Sequence, residues 1–95
     1  ILRAKREGLQ RNACVALGNL GDPSAVPALN EALSHSSPLV RGHAAWALGQ
    51  IGTFDAREAL KAIRSNEVDP AVLEEIQAAL DDTVGRDPVS VIEHI

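Results

Sequence analysis

Apolar residues recur at helical spacing along most of this chain, and small ones dominate. From Val40 to Gly52 the pattern is densest. At 3.6 residues per turn, Val40, Ala44, Ala47, Leu48 and Ile51 fall on one stripe, and His43, Trp46 and Gln50 fall on a neighbouring one. Alanine stands where an isolated amphipathic helix would carry Leu or Phe. Small residues admit a second helix at close range, so the pattern predicts a central helix packed among others. The stretch also has copies. Shifted back by 31 residues, Ala44, Ala47, Leu48, Gly49 and Gly52 meet Ala13, Ala16, Leu17, Gly18 and Gly21, and Ala56, Ala59 and Leu60 meet Ala25, Ala28 and Leu29. Shifted forward by 32, Pro38, Val40, Ala47 and Leu48 meet Pro70, Val72, Ala79 and Leu80. A fixed period near 30 is the mark of a stacked repeat array.

The predicted elements follow in order. Residues 1–7 form a basic helical turn that Gly8 interrupts. Residues 9–20 form a helix with Leu9, Ala13, Ala16, Leu17 and Leu20 on one stripe, and Gly21 suits its left-handed end. Ser24 caps a helix to about Leu33, with Pro27 in its first turn. Ser37 caps and Pro38 begins the central helix. Asp55 and Glu58 have capping-box spacing for a helix over roughly 55–64. Asp69 caps and Pro70 begins a helix to about Asp82. Residues 88–94 form a short last helix that closes the array. The expected fold is all-α: an α-solenoid of antiparallel helix pairs with about five main helices and a short C-terminal one. Its repeats cover residues 9–33 and 40–64 with a partial third at 70–82, and 83–95 is a cap or tail. The four glycines at 18, 21, 49 and 52 are all assigned to helix ends.

Composition narrows this further. The 95 residues make a single domain, with fifteen alanines, one Phe, one Trp, no Tyr and no Met. The absence of a starting Met marks the sequence as a piece of a longer protein. One cysteine, Cys14, excludes an intrachain disulfide, and no apolar run reaches the ~18 residues of a membrane span. A soluble cytoplasmic setting, with no membrane partner, is the default. Net charge is −4 but unevenly spread: +3 over residues 1–11, zero over 12–64 and −7 over 65–95.

The pattern Ala-x-x-Ala-Leu-Gly-x-(Leu/Ile)-Gly-(Asp/Thr)-x-x-Ala-x-x-Ala-Leu resembles the short HEAT-like repeats also seen in bilin lyases. Residues 9–33 and 40–64 carry it well, and 70–80 in part. A narrower resemblance rests on residues 3–19, RAKREGLQRNACVALGN, with 37–49, SPLVRGHAAWALG. These are similar to the C-terminal part of bacterial epoxyqueuosine reductases, enzymes of queuosine-tRNA maturation. That resemblance implies an upstream catalytic domain carrying two [4Fe–4S] clusters and cobalamin, reducing epoxyqueuosine at the tRNA wobble position. No such cofactor is expected within these 95 residues.

Candidate chemistry is sparse. A cluster takes about four thiolates, and Cys14 is a single packing residue in mid-helix. His35, His43 and His94 have no metal-ligand spacing. Glu74-Glu75 and Asp81-Asp82 diverge by about 100° on a helix and read as solvated charge. No nucleophile–base pair or phosphate-binding glycine loop is present, so no catalysis is expected of this segment. Two binding features remain. Arg3, Lys5, Arg6 and Arg11 place four cations within nine positions, spaced to track the phosphates of tRNA. The repeat register also aligns His43 with Asn12 and Glu75, Trp46 with Val15 and Ala78, and Gln50 with Asn19 and Asp82. Asn12, Asn19, His43, Trp46 and Gln50 thus form a ladder on one face, suited to a base, a ribose or a partner side chain, or to nothing more than a solvated helix surface with Trp46 wedged between repeats. Arg41 is either a ligand contact or half of an inter-repeat ion pair. The acidic total and the lack of paired aromatics exclude a general nucleic-acid binder, and DNA is not expected. Three roles stay open: an accessory tRNA-holding domain, a protein-interaction scaffold, or a structural appendage to its own upstream catalytic domain.

Overall fold

A computed structural model describes residues 2–85. Five α-helices follow one another: α1 (Leu2–Leu20), α2 (Val26–Ala32), α3 (Pro38–Ile51), α4 (Phe54–Arg64) and α5 (Pro70–Gly85), with a 3₁₀ turn at Pro23–Ala25 before α2. No strand occurs among the described residues. Helices α1, α3 and α5 form one layer with α3 in the middle, and α2 and α4 pack behind it. The anticipated last helix at 88–94 lies outside the described residues.

Local signals set most of the boundaries. Ser37 caps α3 by accepting the Val40 amide on its hydroxyl, and Pro38 takes the first position, where no amide partner is needed. Asp69 Oδ1 accepts the Ala71 and Val72 amides at 2.9 and 3.2 Å and starts α5. Gly21 and Gly52 end α1 and α3 with φ of +67° and +68°, a conformation that a Cβ disfavours.

Four local expectations are corrected. Gly8 does not interrupt the first helix, because strong helix formers flank it and the ladder of backbone bonds runs through from Leu2 to Leu20. Asp22, not Ser24, makes the next cap: its carboxylate accepts the Ser24 amide at 2.9 Å and starts the 3₁₀ turn, leaving Pro27 in the first turn of α2. Thr53, not the Asp55–Glu58 pair, caps α4, its hydroxyl accepting the Ala56 amide at 3.2 Å. Helix α5 also continues past Asp82 to Gly85.

Gly18 and Gly49 correct a fifth. Both are interior to their helices and exist for contact, not termination. A Cβ at Gly18 would lie 2.5 Å from the Trp46 ring and 3.0 Å from Ala47 Cα. A Cβ at Gly49 would lie 2.7 Å from Ala79 Cβ and 2.9 Å from Ala79 Cα. The two contacts are copies of each other one repeat apart. They fix α1, α3 and α5 as parallel neighbours at close spacing, which the alanine-rich core requires. Ala44, Ala45 and Ala47 are fully buried at this seam, while Leu29, Leu33, Leu48, Leu60 and Ile76 fill the space between the layers.

Polar links tie the repeats at the N-terminal ends of the parallel helices. Ser37 donates its hydroxyl to Glu7 of α1 at 3.2 Å. Arg41 grips Glu67 with two bonds, Nε to Oε1 at 2.8 Å and Nη2 to Oε2 at 3.2 Å, and donates Nη1 to the His35 and Ser36 carbonyls. Arg41 is therefore the inter-repeat ion pair of the two roles left open for it. The Glu67 side chain is only 4% exposed, yet the Arg41 guanidinium, aided by the Asp69 and Val68 amides, outweighs burial and holds its carboxyl below the usual range.

Candidate functional site

The parallel layer leaves a groove of about 560 Å³ on its face, crossing all three helices. Val15 of α1 forms one bank. Leu39, Gly42, His43 and Trp46 of α3 form the floor. Asp69, Ala71, Val72 and Glu75 at the start of α5 form the other bank. The repeat register is why these side chains meet: positions 15 and 46, and positions 43 and 75, are equivalents brought onto one face by stacking.

Trp46 is half-buried, with the far edge of its indole over Gly18. The missing side chain of Gly18 makes room for the ring between α1 and α3, and Trp46 also lines the groove. His43 Nδ1 lies 2.8 Å from the Leu39 carbonyl oxygen. A carbonyl only accepts, so Nδ1 carries the proton, and in the neutral ring Nε2 is an acceptor. Gly42 has no packing role, since a Cβ there would meet nothing within 4 Å. A mid-helix glycine costs about 1 kcal/mol relative to Ala. Here it leaves the backbone of α3 open to whatever fills the groove.

The two banks differ in charge. Asp69, which caps α5, and Glu75 within it bring carboxylates to one bank. The Asp69 carboxylate is engaged as the α5 cap, and among the described residues no hydrogen bond or ion pair engages Glu75. On α1, one turn before Val15, the Arg11 guanidinium rests 3.3 Å from Asn12 Oδ1. Among the described residues no group of three His, Cys, Asp or Glu side chains is placed to hold a metal ion. Cys14 is buried, and burial pushes its thiol up, away from the thiolate that ligation needs. One buried cysteine does not fit an iron–sulfur cluster. No described helix is long and apolar enough to cross a membrane.

The profile of HEAT repeats matches residues 1–81, most of the chain. The chain belongs to the HEAT-repeat family. This HEAT array is also similar to several curated proteins named epoxyqueuosine reductase. The protein of Listeria monocytogenes is 40% identical over 74 residues, which is 77% of this chain and 20% of the relative. That of Bacillus cereus is 39% identical over 77 residues, 80% of this chain and 20% of the relative. That of Bacillus subtilis is 40% identical over 78 residues, 80% of this chain and 16% of the relative. The chain thus spans a fifth or less of the length of these relatives. No solved structure matches it.

Within the HEAT array the residues singled out from the sequence fall into two groups. His43 and Trp46 line the groove, with Asn12 beside it on α1 next to Arg11. Asn19 is exposed near the end of α1 and Gln50 is half-buried near the end of α3, and neither lines the groove. Arg3, Lys5 and Arg6 are exposed on the first turns of α1, where Arg3 pairs with Glu7 at 3.3 Å. Sequence reasoning missed Glu75, Leu39 and Gly42 as groove residues. A signal existed for two of them. Glu75 aligns with His43, and Gly42 is a helix-interior glycine with no helix end nearby.

Proposed function

We propose that this HEAT array is the non-catalytic C-terminal part of an epoxyqueuosine reductase-like iron–sulfur protein and helps to hold its tRNA. The observation that carries this is the exposed basic start of α1, where Arg3, Lys5 and Arg6 stand clear of the packed layer and Arg11 continues the run toward the groove. Its likeness to the reductases supports the same role. Exposed cations around the first turns of a helix suit a phosphate backbone, which they bind without sequence preference. The iron–sulfur clusters and the cobalamin of such an enzyme would belong to the remainder of the polypeptide. The test is a tRNA titration at two salt concentrations with the native chain and with a variant carrying Arg3, Lys5, Arg6 and Arg11 all changed to Gln. The native chain binds more tightly, and its affinity falls more steeply with salt, by about 0.7–0.9 log units per phosphate contact for each tenfold rise. Equal affinity and equal slope in the two proteins overturn the proposal.

A second role has its own observation. Leu2, Leu9 and Leu20 lie along one side of α1 and are 70–75% exposed. Such an apolar helix side suits docking against protein, and the array's own upstream catalytic domain is the partner it would meet.

A further inference from the structure

We infer that the groove receives an unstacked guanine base of the bound RNA, with Glu75 reading the base and Arg11 holding the adjoining phosphate. This rests on the RNA-holding role proposed above and names what the groove itself recognises. The cavity, about 560 Å³, is in the range of small-molecule sites and has room for a base with its ribose. Its floor offers Trp46, a half-buried ring that lines the groove, beside Leu39, which is 44% exposed. A flat apolar base stacks there, and the open space over Gly42 lets it approach the helix backbone.

The edge groups choose the base. An ionised carboxylate is acceptor-only, with two oxygens side by side. Guanine alone among the four bases presents two adjacent donors, N1–H and N2–H, on its Watson–Crick edge. Adenine sets a donor beside an acceptor there, and uracil and cytosine each carry one donor beside acceptors. Among the described residues nothing engages the Glu75 carboxylate, which can pair with both guanine donors, whereas Asp69 Oδ1 is occupied as a helix cap. In the neutral ring, His43 Nε2 is a further acceptor, suited to a ribose hydroxyl. On the α1 side, one turn before the groove residue Val15, Arg11 supplies a guanidinium for a single phosphate. The two banks thus match a nucleotide with phosphate toward α1 and base edge toward α5. A base in this position cannot be paired, so it comes from a loop or a single strand.

Trp46 is the only tryptophan in the chain, so its emission reports on the groove alone. The probes are three pentaribonucleotides, each four uracils around a central guanine, hypoxanthine or adenine. Hypoxanthine lacks the 2-amino group and removes one of the two donors. The guanine pentamer is expected to shift Trp46 emission and to bind about tenfold more tightly than the other two, the effect of one hydrogen bond to a charged group. Glu75→Gln levels the three affinities, and Glu74→Gln preserves the preference. Changing Arg3, Lys5 and Arg6 to Gln weakens all three RNAs and leaves their ratio intact. Equal affinity for guanine and hypoxanthine, or a preference that survives Glu75→Gln, overturns the inference while leaving tRNA holding by α1 untouched. If none of the RNAs binds, the RNA-holding role falls, and guanosine and inosine monophosphates at millimolar concentration decide the groove by the same emission. A guanosine preference supports the inference, and no preference overturns it.

Discussion

Leu9 of α1 and Val40 of α3 occupy the same place in their repeats, 31 residues apart, as do Ala13 and Ala44, and Ala16 and Ala47. Val40, Ala44 and Ala47 are buried to within 1%, whereas Leu9 is 70% exposed and Ala13 and Ala16 are exposed with it. The two helices carry nearly the same stripe and meet opposite fates. Helix α3 has α1 on one side and α5 on the other. Helix α1 offers Cys14 and Gly18 to α3 and packs Leu17 against the core, while Leu9, Ala13, Ala16 and Leu20 stay exposed. A repeat cannot cover its own apolar stripe, because the cover is the next repeat. Burial in such an array is therefore a property of position in the stack as much as of residue type.

Substitutions on the two stripes separate position from residue. The largest contrast is between leucines. Leu48→Ala, fully buried in α3, costs about 3–4 kcal/mol, and Leu9→Ala on the open side of α1 changes stability by less than ~0.5 kcal/mol. Urea unfolding of the two variants measures both. A large loss from Leu9→Ala shows that α1 is covered in solution.

Next comes the ion pair that ties α3 to the loop before α5. Arg41→Ala leaves the buried Glu67 carboxylate without its main partner and costs about 3 kcal/mol. The same pair sets an acid dependence. The Glu67 carboxyl titrates lower in the folded state than in the unfolded chain, so between those two values the unfolded chain binds more protons. This part of the stability is complete above the unfolded carboxylate value, about pH 4.3, and fades as pH falls through the lower folded one. Unfolding midpoints followed from pH 6 to pH 3 are expected to drop less steeply for Glu67→Gln than for the native chain.

The glycine contacts test the seam itself. Gly49→Ala drives a methyl against the Ala79 backbone, which cannot move aside, and costs about 2 kcal/mol despite the better helix propensity. Gly18→Ala meets chiefly the rim of the Trp46 ring, which can swing toward the groove, and costs about 1 kcal/mol with a shift in Trp46 emission. Reversed magnitudes would show that α1 holds α3 more rigidly than α5 does. The smallest effect has the opposite sign. Gly8 is interior to α1 and a Cβ there meets nothing within 4 Å, so Gly8→Ala stabilises by about 0.5–1 kcal/mol, read by thermal unfolding.

Much of this was legible because repeats announce themselves. The shared spacing of Ala, Leu and Gly located the helices, and Ser37 and Asp69 followed by proline marked two starts within a residue. The missed caps share one cause. Ser24 and Asp55 are plausible caps in isolation, but Asp22 and Thr53 stand where the chain leaves the glycine turns, and the turn geometry chose between them. The groove was half legible. The register aligned His43, Trp46 and Glu75, yet the hollow between them depends on how close the helices lie, and Gly18 and Gly49 set that closeness while looking like terminators.

The sequence by itself determined the period, the all-α class and the small-residue seam, because helical spacing and turn chemistry are local and repeat identity needs no coordinates. Tertiary structure alone decided which of two like stripes is covered, which glycines separate helices and which end them, and that Arg41 belongs to Glu67. It also decided that Trp46 and Glu75 share a groove. Each of these is a distance between residues far apart in the chain, and such distances are fixed only when the layers pack.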